Sequence, residues 1–291
     1  MARTDKYTIK DLKAQFPDED QCLAFIFENL HSYECSCGGR YNKIKGRRQY
    51  QCSKCRYQIA PTAGMIFHKS VTPLTDWFYA LFVFSNAKSG ISASELSRQI
   101  GVTYKCAWRM LKQIRMALGQ DRDKLDGTVE MDTAYFGGRF RSGKDNARQK
   151  EAIAAKSVVM GAISRSGYAR VRVMPDASAD AHRAFLNAHV SKNARLLTDD
   201  AGVYKHSAAP YFREKVNHKR HEYARGDVHI NNIEMFWSHV KRSIKGTHKT
   251  ISKAYLQSYL DAFVFQWNNR YSDIDRFGVL LGTLLRASVR G

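Results

Sequence analysis

The sequence has no apolar run long enough to cross a membrane. Its longest apolar stretch, WFYALFVF at residues 77–84, is far shorter than the roughly 20 residues that a spanning helix needs. The first residues, MARTDKYTIKDLKAQF, do not contain the apolar core of a secretory signal. Internal repeats and low-complexity tracts are also absent from the sequence. We therefore expect a protein that acts inside the cell and away from the membrane, in a reducing compartment.

Acidic side chains are scarce, and this shortage leaves the chain strongly basic. Asp and Glu number 27 against 47 Lys and Arg in 291 residues, which gives a net charge of +20. Each Lys or Arg that neutralises a phosphate releases condensed counterions, so such an excess favours a polyanionic partner. A hydrophobic content of 44% excludes a disordered chain. We predict a nucleic-acid-binding protein, with a basic protein of another kind as the alternative.

Four of the cysteines form two close pairs in the N-terminal part of the chain. In a reducing compartment, cysteines are metal ligands or core residues more often than disulfides. Two such pairs, separated by a basic segment, are typical of a zinc ribbon with four thiolate ligands. The first pair is one residue shorter than usual, and His31 is near enough in sequence to replace one thiolate. We predict structural Zn²⁺ at Cys35, Cys37, Cys52 and Cys55.

Two other interpretations of the cysteines remain. The N-terminal segment could be a small basic β-unit whose thiols are buried and free of metal. Cys22 and Cys106 lie in apolar helical surroundings, and we expect both to be core residues.

The segment GISASELSRQIGVTYKCAWRMLKQIRMAL, residues 90–118, is typical of a helix-turn-helix. Ser92 or Ser94 can cap the first helix, and Gly101 provides the turn. A DNA-binding helix-turn-helix presents the early residues of its second helix to the bases. These are Thr103, Tyr104, Lys105, Trp108 and Arg109, of which Thr103 can also cap the helix. A plain pair of antiparallel helices is the alternative.

The pattern changes after residue 126 to strands followed by helices. TVEMDTAYFGG, SVVMGAIS and YARVRVM predict three strands, SADAHRAFLNAHV predicts a helix, and ARLLTDD predicts a fourth strand. Residues 229–245 and 253–269 predict two further helices. This order is typical of an α/β domain built on a mixed sheet. The basic segment 139–156, between the first two strands, is expected to be mobile.

Three acidic residues stand out by their placement in this domain. Asp132 lies in the middle of the first strand, and Asp199 ends the fourth strand, where ligand sites of open sheets form. Glu234 lies on a later helix. Hard divalent cations prefer oxygen ligands, and a pair of them can promote in-line phosphoryl transfer. Glu130 and Asp200 are close competitors, and each acid alone could be a structural acceptor, a turn residue or a solvated charge.

The helix HINNIEMFWSHVKRSIKG, residues 229–246, has two stripes. An apolar stripe fit to pack on a core consists of Ile233, Phe236, Trp237, Val240 and Ile244. A polar stripe beside it consists of Asn231, Glu234 and Lys241. We predict that the apolar stripe docks the helix on the sheet and that the polar stripe faces the reaction site. His229, at the start of the helix, could orient a ligand or simply belong to the cap.

Together these segments resemble the bacterial insertion-sequence transposases of the DDE superfamily that have a zinc ribbon before a ribonuclease H-like catalytic domain. The resemblance runs nearly end to end. It is carried by YQCSKCRYQIAPTAGMIFHKS, LSRQIGVTYKCAWRML, VEMDTAYFGG, LLTDD, HINNIEMFWSHVKRSIKGTHKTIS and YLDAFVFQWNNR.

The resemblance implies that Asp132 and Asp199 are the first two ligands of two Mg²⁺ or Mn²⁺ ions. The third ligand in this family is described as Asn in some members and Glu in others, which leaves Asn231 and Glu234 as candidates. A carboxylate binds Mg²⁺ more strongly than an amide, so we favour Glu234. Lys241 resembles the basic residue that contacts the transposon end, and we add Arg242 and Lys245 as DNA contacts.

The expected organisation follows from this resemblance. We expect an N-terminal helix and zinc ribbon at 1–70, a helix-turn-helix at 71–125, and an α/β ribonuclease H-like catalytic domain at 126–291. The protein would bind inverted repeats of double-stranded DNA and cut and join strands as a homodimer or higher oligomer in the cytoplasm, at the nucleoid. Segments 139–156 and 213–225 would add phosphate contacts. A DNA-binding regulator with an inactive domain, and a ribonuclease H-like nuclease or resolvase, are the alternatives.

Overall fold

A five-stranded sheet is the centre of the C-terminal half of the chain. The computed structural model describes residues 7–119, 123–137, 156–217, 222, 224–270 and 276–288. The chain divides into two units, one of Met1–Leu118 with Tyr271–Gly291 and one of Gly119–Arg270. In the described ranges, no helix has both the length and the apolarity for a membrane span. The predicted mobile segment 139–156 lies almost wholly outside the described residues.

The first unit begins with two short helices and a small sheet. Helices α1 (Ile9–Gln15) and α2 (Glu19–Leu30) start at Thr8 and Asp18, whose side chains accept backbone N–H groups of the first turn. Strands β1 (Tyr41–Lys43), β2 (Tyr50–Cys52) and β3 (Gln58–Ile59) form an antiparallel sheet; Cys52 ends β2, and the other three paired cysteines lie in the adjoining loops. Helix α3 (Leu74–Asn86) follows, and its aromatic residues Trp77 and Phe78 are buried, as the apolar pattern predicts.

Helices α4 (Ala93–Ile100) and α5 (Tyr104–Leu118) form the predicted helix-turn-helix. The Ser92 side chain caps α4 by accepting the Glu95 N–H. Gly101 has a φ of +69°, a left-handed conformation that glycine adopts without strain. The Thr103 hydroxyl accepts the Cys106 N–H at 3.3 Å and so caps α5. These local features of the turn agree with the sequence prediction.

The chain after residue 271 returns to the first unit. Its helix α10 (Arg276–Ser288) packs against α3 and α5 of this unit. The Phe277 ring is stacked on the Tyr7 ring at 5.1 Å between centroids, and it also contacts the rings of Phe16 and Phe78. The predicted catalytic domain extended to residue 291, whereas the structure assigns this helix to the first unit because its apolar face completes an aromatic core there.

The second unit contains the five-stranded sheet, in the order β6-β5-β4-β7-β8. Strands β4 (Thr128–Phe136), β5 (Ser157–Ser164) and β6 (Ala169–Met174) are antiparallel neighbours. Strands β7 (Arg195–Asp199) and β8 (Phe212–Val216) run parallel to β4. This mixed α/β sheet confirms the predicted fold class. Strand β8 was not predicted, because it is an edge strand of sequence FREKV with one buried residue.

Helices cover both faces of this sheet. Helix α6 (Ala179–His189) and the short α7 (Tyr204–Ser207) pack on one face, over residues such as Val129 and Met131. After a small hairpin, β9 (Ala224–Arg225) and β10 (Val228–His229), helix α8 (Asn231–Ser243) crosses the other face beside α9 (Leu256–Asn268). Helix α8 continues into a π-helical turn, Ile244–His248.

Candidate active site

Two predicted acids meet where β4 and β7 run side by side. The strands pair in parallel, with Glu130 opposite Leu197 as the last pair, and Asp132 and Asp199 each lie two residues beyond it. Successive side chains of a strand point to opposite faces. Ala134 and Leu197 belong to the core under α8, so Asp132 and Asp199 face the same side. The sheet therefore presents both carboxyl groups toward α8.

Helix α8 brings the polar stripe to these acids. Its residues Ile233, Phe236, Trp237 and Val240 are buried, as the apolar stripe predicts, and Ile244 packs against the same core. Glu234 and Lys241 are exposed on another side of the helix. The amphipathic pattern thus fixes which side of α8 meets the sheet and which side stays open to a ligand.

The pKa of the Asp132 carboxyl depends on its burial and on the charged groups around it. Its pKa is raised from 3.8 to about 6, chiefly by burial, and the negative charges of Asp199 and Glu234 act in the same direction. A hydrogen bond with the Thr133 backbone and the positive charge of Lys241 oppose this shift. Asp132, Asp199, Glu234 and Lys241 therefore lie close enough to interact, although they come from three separate elements.

The residues present fit a divalent cation in ligand type and charge. All three acids offer oxygen ligands, which Mg²⁺ and Mn²⁺ prefer. Burial, and to a smaller extent the charges of Asp199 and Glu234, raise the pKa of Asp132, and a bound cation would favour the ionised carboxylate again. Within the described residues, the three carboxylates do not gather as tightly as the cysteines, whose ligand atoms all lie within 4.8 Å of one another.

The two candidates for the third ligand lie one helical turn apart. Asn231 is the first residue of α8 and is exposed, and Glu234 follows on the same side. Glu234 lies close enough to Asp132 for its negative charge to raise the pKa of that carboxyl. The intervening Asn232 is engaged, because its side-chain amide donates to Glu130 at 2.8 Å.

The neighbouring acids have other roles. Asp200 forms an ion pair with Lys215 and accepts the Asn217 side-chain amide at 3.1 Å. Glu130 is fully buried and accepts hydrogen bonds from the backbone of α8. His229 belongs to the cap region, where its Nδ1 lies 3.4 Å from the Asn231 backbone nitrogen.

Thr133 anchors the opposite face of β4. Its hydroxyl lies 2.9 Å from Nε2 of the buried His182. His182 Nδ1 lies 2.8 Å from the Ser178 carbonyl, which can only accept, so Nδ1 donates and Nε2 accepts from Thr133. Burial lowers the pKa of His182 and so favours this neutral form. This hydrogen bond fixes β4 to His182 of α6 at the residue that follows Asp132.

Three residues near the site were missed in the sequence. Gly161 lies opposite Asp132 on β5, and a Cβ atom there would come within 2.5 Å of the Trp237 ring. A glycine inside a strand is a known sign of close approach. Arg165 reaches Glu130 from the β5–β6 turn. Arg213 donates to the Thr198 hydroxyl at 2.8 Å and to the Asp199 carbonyl at 2.9 Å, but it lies on the unrecognised β8.

The four predicted zinc ligands form one cluster in the first unit. Cys35 Sγ lies 3.7 Å from Cys55 Sγ, and Cys37 Sγ lies 3.5 Å from Cys52 Sγ. Zinc–sulfur bonds of about 2.3 Å in a tetrahedron place the sulfurs about 3.8 Å apart, so the spacing fits Zn²⁺. A backbone hydrogen bond from Cys37 and one from the Tyr41 side chain lower the pKa of Cys35 to about 6. His31 packs on Phe27 outside this group, so the short first pair does not need a substitute ligand.

The predicted DNA contacts lie on open surfaces. Thr103, which caps α5, is exposed, as are Tyr104, Lys105 and Arg109 on the helix itself. Trp108 is half-buried, and the Lys112 ammonium lies 5.4 Å from the centre of one of its rings. In the second unit, Arg242 and Lys245 are exposed beyond Lys241.

Comparison with known proteins finds a family match within the second unit. Residues 124–268 match the family described as "ISXO2-like transposase domain". The chain is 27% identical over 237 residues to the "Uncharacterized protein in transposable element ISH50" of Halobacterium salinarum, an alignment that covers 77% of this chain and 80% of the relative. A chain in the crystal structure of a pre-cleavage Mos1 transpososome aligns with 12% sequence identity and a TM-score of 0.27. The alignment covers 73% of the present chain and 77% of that chain. A TM-score this low supports no conclusion about function.

Proposed function

We propose that the chain is an insertion-sequence transposase of the DDE superfamily, which binds the terminal inverted repeats of its element and catalyses metal-dependent strand cleavage and strand transfer. The match of residues 124–268 to the family described as "ISXO2-like transposase domain" supports this proposal. The observation that carries this proposal is the electrostatic interaction of Asp132, on the central strand β4, with Asp199 at the end of β7 and Glu234 on α8. Phosphoryl transfer needs positioning and charge stabilisation more than a covalent intermediate, and such a cluster provides both.

We propose one role for the acidic residues of the site and another for Lys241. Asp132, Asp199 and either Glu234 or Asn231 would hold two Mg²⁺ or Mn²⁺ ions. Bound there, the cations would activate the attacking hydroxyl and stabilise the leaving oxygen of an in-line displacement. Lys241 would hold a phosphate of the transposon end, since its positive charge already acts on Asp132 from the open side of α8.

We propose that the first unit provides the specificity for DNA ends. The exposed start of α5 supports a phosphate contact by Lys105 and base readout by Arg109, because Arg donates well to guanine. Structural Zn²⁺ at the four cysteines would hold the small sheet rigid beside it. Arg242, Lys245 and segments 139–156 and 213–225 would add phosphate contacts. Pairing of two ends implies at least a homodimer on double-stranded DNA, acting at the nucleoid in the cytoplasm.

The decisive experiment uses purified protein and DNA that carries the flanks of its own gene. Mg²⁺ or Mn²⁺ is added, and nicked and joined products are separated on denaturing gels. We expect joined product from the wild-type protein and none from Asp132→Asn, which should still bind the DNA ends.

The outcomes separate the proposed function from its alternatives. Cleavage without joining would identify a nuclease or resolvase. End-specific binding without cleavage under either metal would identify a DNA-binding regulator. Loss of DNA binding in a folded Asp132→Asn protein would contradict the role assigned to Asp132.

A further inference from the structure

The residue at the N-cap position of α8 does not cap the helix. Ile230 has no side-chain acceptor, and the local side chain His229 accepts only the first N–H group, that of Asn231, through a long bond of 3.4 Å to Nδ1. The first N–H groups of a helix have no partner within the helix, and leaving them buried and unbonded is costly. The helix that carries Asn231 and Glu234 therefore depends on a partner from elsewhere in the chain.

Glu130 of β4 is that partner. One carboxylate oxygen, Oε2, accepts the backbone N–H groups of Asn232 at 2.7 Å and Ile233 at 3.1 Å. The other oxygen, Oε1, accepts the Asn232 side-chain amide at 2.8 Å and Arg165 Nε at 2.9 Å. A carboxylate has about four acceptor positions, so these bonds use its full capacity. A negative charge also suits the positive end of a helix dipole.

The burial of Glu130 excludes a role as metal ligand. Its side chain is 0% exposed, and both oxygens are occupied by donors from the protein. Asp132, two residues along the same strand, faces the same side of the sheet and is only partly buried. One strand thus carries two carboxylates with separate roles, one that holds the helix and one that faces the ligand.

Arg165 links this cap to the segment before the helix. In addition to Glu130, its guanidinium donates to the backbone carbonyls of Asp227 and His229, each at 3.1 Å. The strand, the β5–β6 turn and the approach to α8 therefore meet at one carboxylate.

We propose that Glu130 is a positioning residue that fixes the first turn of α8, and with it Asn231 and Glu234, against Asp132. Glu130 acts only through the helix, because it does not reach the open side of the site. The part of the proposal that concerns metal rests on the proposed function, whereas the part that concerns the helix does not.

The test compares Glu130→Ala with a matched control, Gln257→Ala. Gln257 also bonds the backbone of a neighbouring strand, since its Oε1 accepts the Val173 N–H at 2.8 Å and its Nε2 donates to the Val171 carbonyl at 3.2 Å. It ties α9 to β6, away from the first turn of α8. Both variants lose side-chain to backbone bonds, but only one of them loses the cap.

Two readouts are measured on the full chain. Amide hydrogen exchange at Asn232 and Ile233 reports the cap, and we expect Glu130→Ala to accelerate it about tenfold or more. The Mn²⁺ concentration that gives half-maximal cleavage reports the site, and we expect it to rise about tenfold or more, as when a residue that orients metal ligands is lost. Gln257→Ala should change neither amide exchange at the cap nor the Mn²⁺ requirement, even if it lowers the melting temperature as much as Glu130→Ala does.

Glu130→Gln keeps one oxygen for the two backbone N–H groups but sets an amide against Arg165. We expect it to lie between the wild type and Glu130→Ala in both readouts, and it serves as the test variant if Glu130→Ala does not fold. Wild-type values in either folded Glu130 variant, or equal changes in Gln257→Ala, would overturn the inference. If the wild-type protein does not cleave DNA, the proposed function fails, and amide exchange alone then decides whether Glu130 positions the helix.

Discussion

Asp132 combines partial burial with two negative neighbours, and this has a consequence for stability. A carboxyl whose pKa rises on folding from 3.8 to about 6 binds a proton more tightly in the native state. Stability from this group is therefore fully present below about pH 4 and is lost as the pH rises through about 6. A shift of two units corresponds to about 2–3 kcal/mol before any allowance for solvent screening.

The variant Asp132→Asn has no charge at this position, so it does not lose stability when the carboxyl ionises. In the absence of divalent cations, we expect it to melt several degrees above the wild type at pH 7.5 and above it by about a third of that difference at pH 4.5, because the unfolded carboxyl is still largely ionised there. Mg²⁺ should raise the melting temperature of the wild type at pH 7.5 and have little effect on the variant. Thermal unfolding by circular dichroism measures both effects. The exposed Asp126→Asn is the matched control, and an equal gain in stability there would contradict the explanation.

The close packing of Gly161 leads to a second prediction at the scale of single residues. The Cβ of an alanine there would lie 2.5 Å and 2.8 Å from two ring carbons of Trp237 and 3.0 Å from Ile233 Cδ1. Both residues belong to α8. We expect Gly161→Ala to lower the free energy of unfolding by about 1–3 kcal/mol, because a packed core resists added volume.

Denaturant unfolding of Gly161→Ala measures this loss. Gly246→Ala is the control, because nothing lies within 4 Å of the added atom there. Equal stability of the two variants would show that α8 moves away without strain.

At the scale of elements, the small sheet of the first unit is too short to hold itself together. Strands β1 to β3 comprise two or three residues each. The four cysteines therefore carry a large share of its order, and we expect one tightly bound Zn²⁺ per chain.

Metal analysis and thermal unfolding test this expectation. A strong chelator, or Cys52→Ser, should release the zinc and lower the stability of the first unit. Cys106→Ser should keep the zinc, because that thiol contacts Thr72 rather than the cluster. A stable, zinc-free wild-type protein would show instead that the thiols are free core residues.

Prediction of the elements from the sequence succeeded where the apolar pattern was strong. The alternation in β4 and the stripe of α8 mark buried faces, and both elements form close to the predicted residues. Strand β8 was missed because an edge strand with mostly polar residues has no such pattern. The cap of α8 could not be predicted, since its donor and acceptor residues are far apart in sequence and only the fold brings them together.

At the scale of the whole molecule, the net charge of +20 predicts binding to DNA that weakens steeply with salt. Lys105→Ala, at the exposed start of α5, should make the slope of log affinity against log salt less negative by about 0.9, the value for one lost phosphate contact.

Arg109→Ala should instead lower the affinity for the transposon end more than for unrelated DNA, if that side chain reads a base. Lys13→Ala, on the exposed side of α1, is the charge-matched control. Fluorescence anisotropy over a range of salt concentrations measures these affinities. A uniform effect of all three variants would show that α5 has no special place in recognition.

The return of α10 to the first unit has a consequence for the order in which the protein is made. Phe277 stacks on Tyr7, so residues from the two ends of the chain share one aromatic core. Synthesis proceeds from the N-terminus, and domains fold as their residues emerge from the ribosome. The unit that begins first is therefore completed last, when the final helix is released. A chain cut short before α10 would contain every element of the second unit, whereas the first unit would lack one helix of its core.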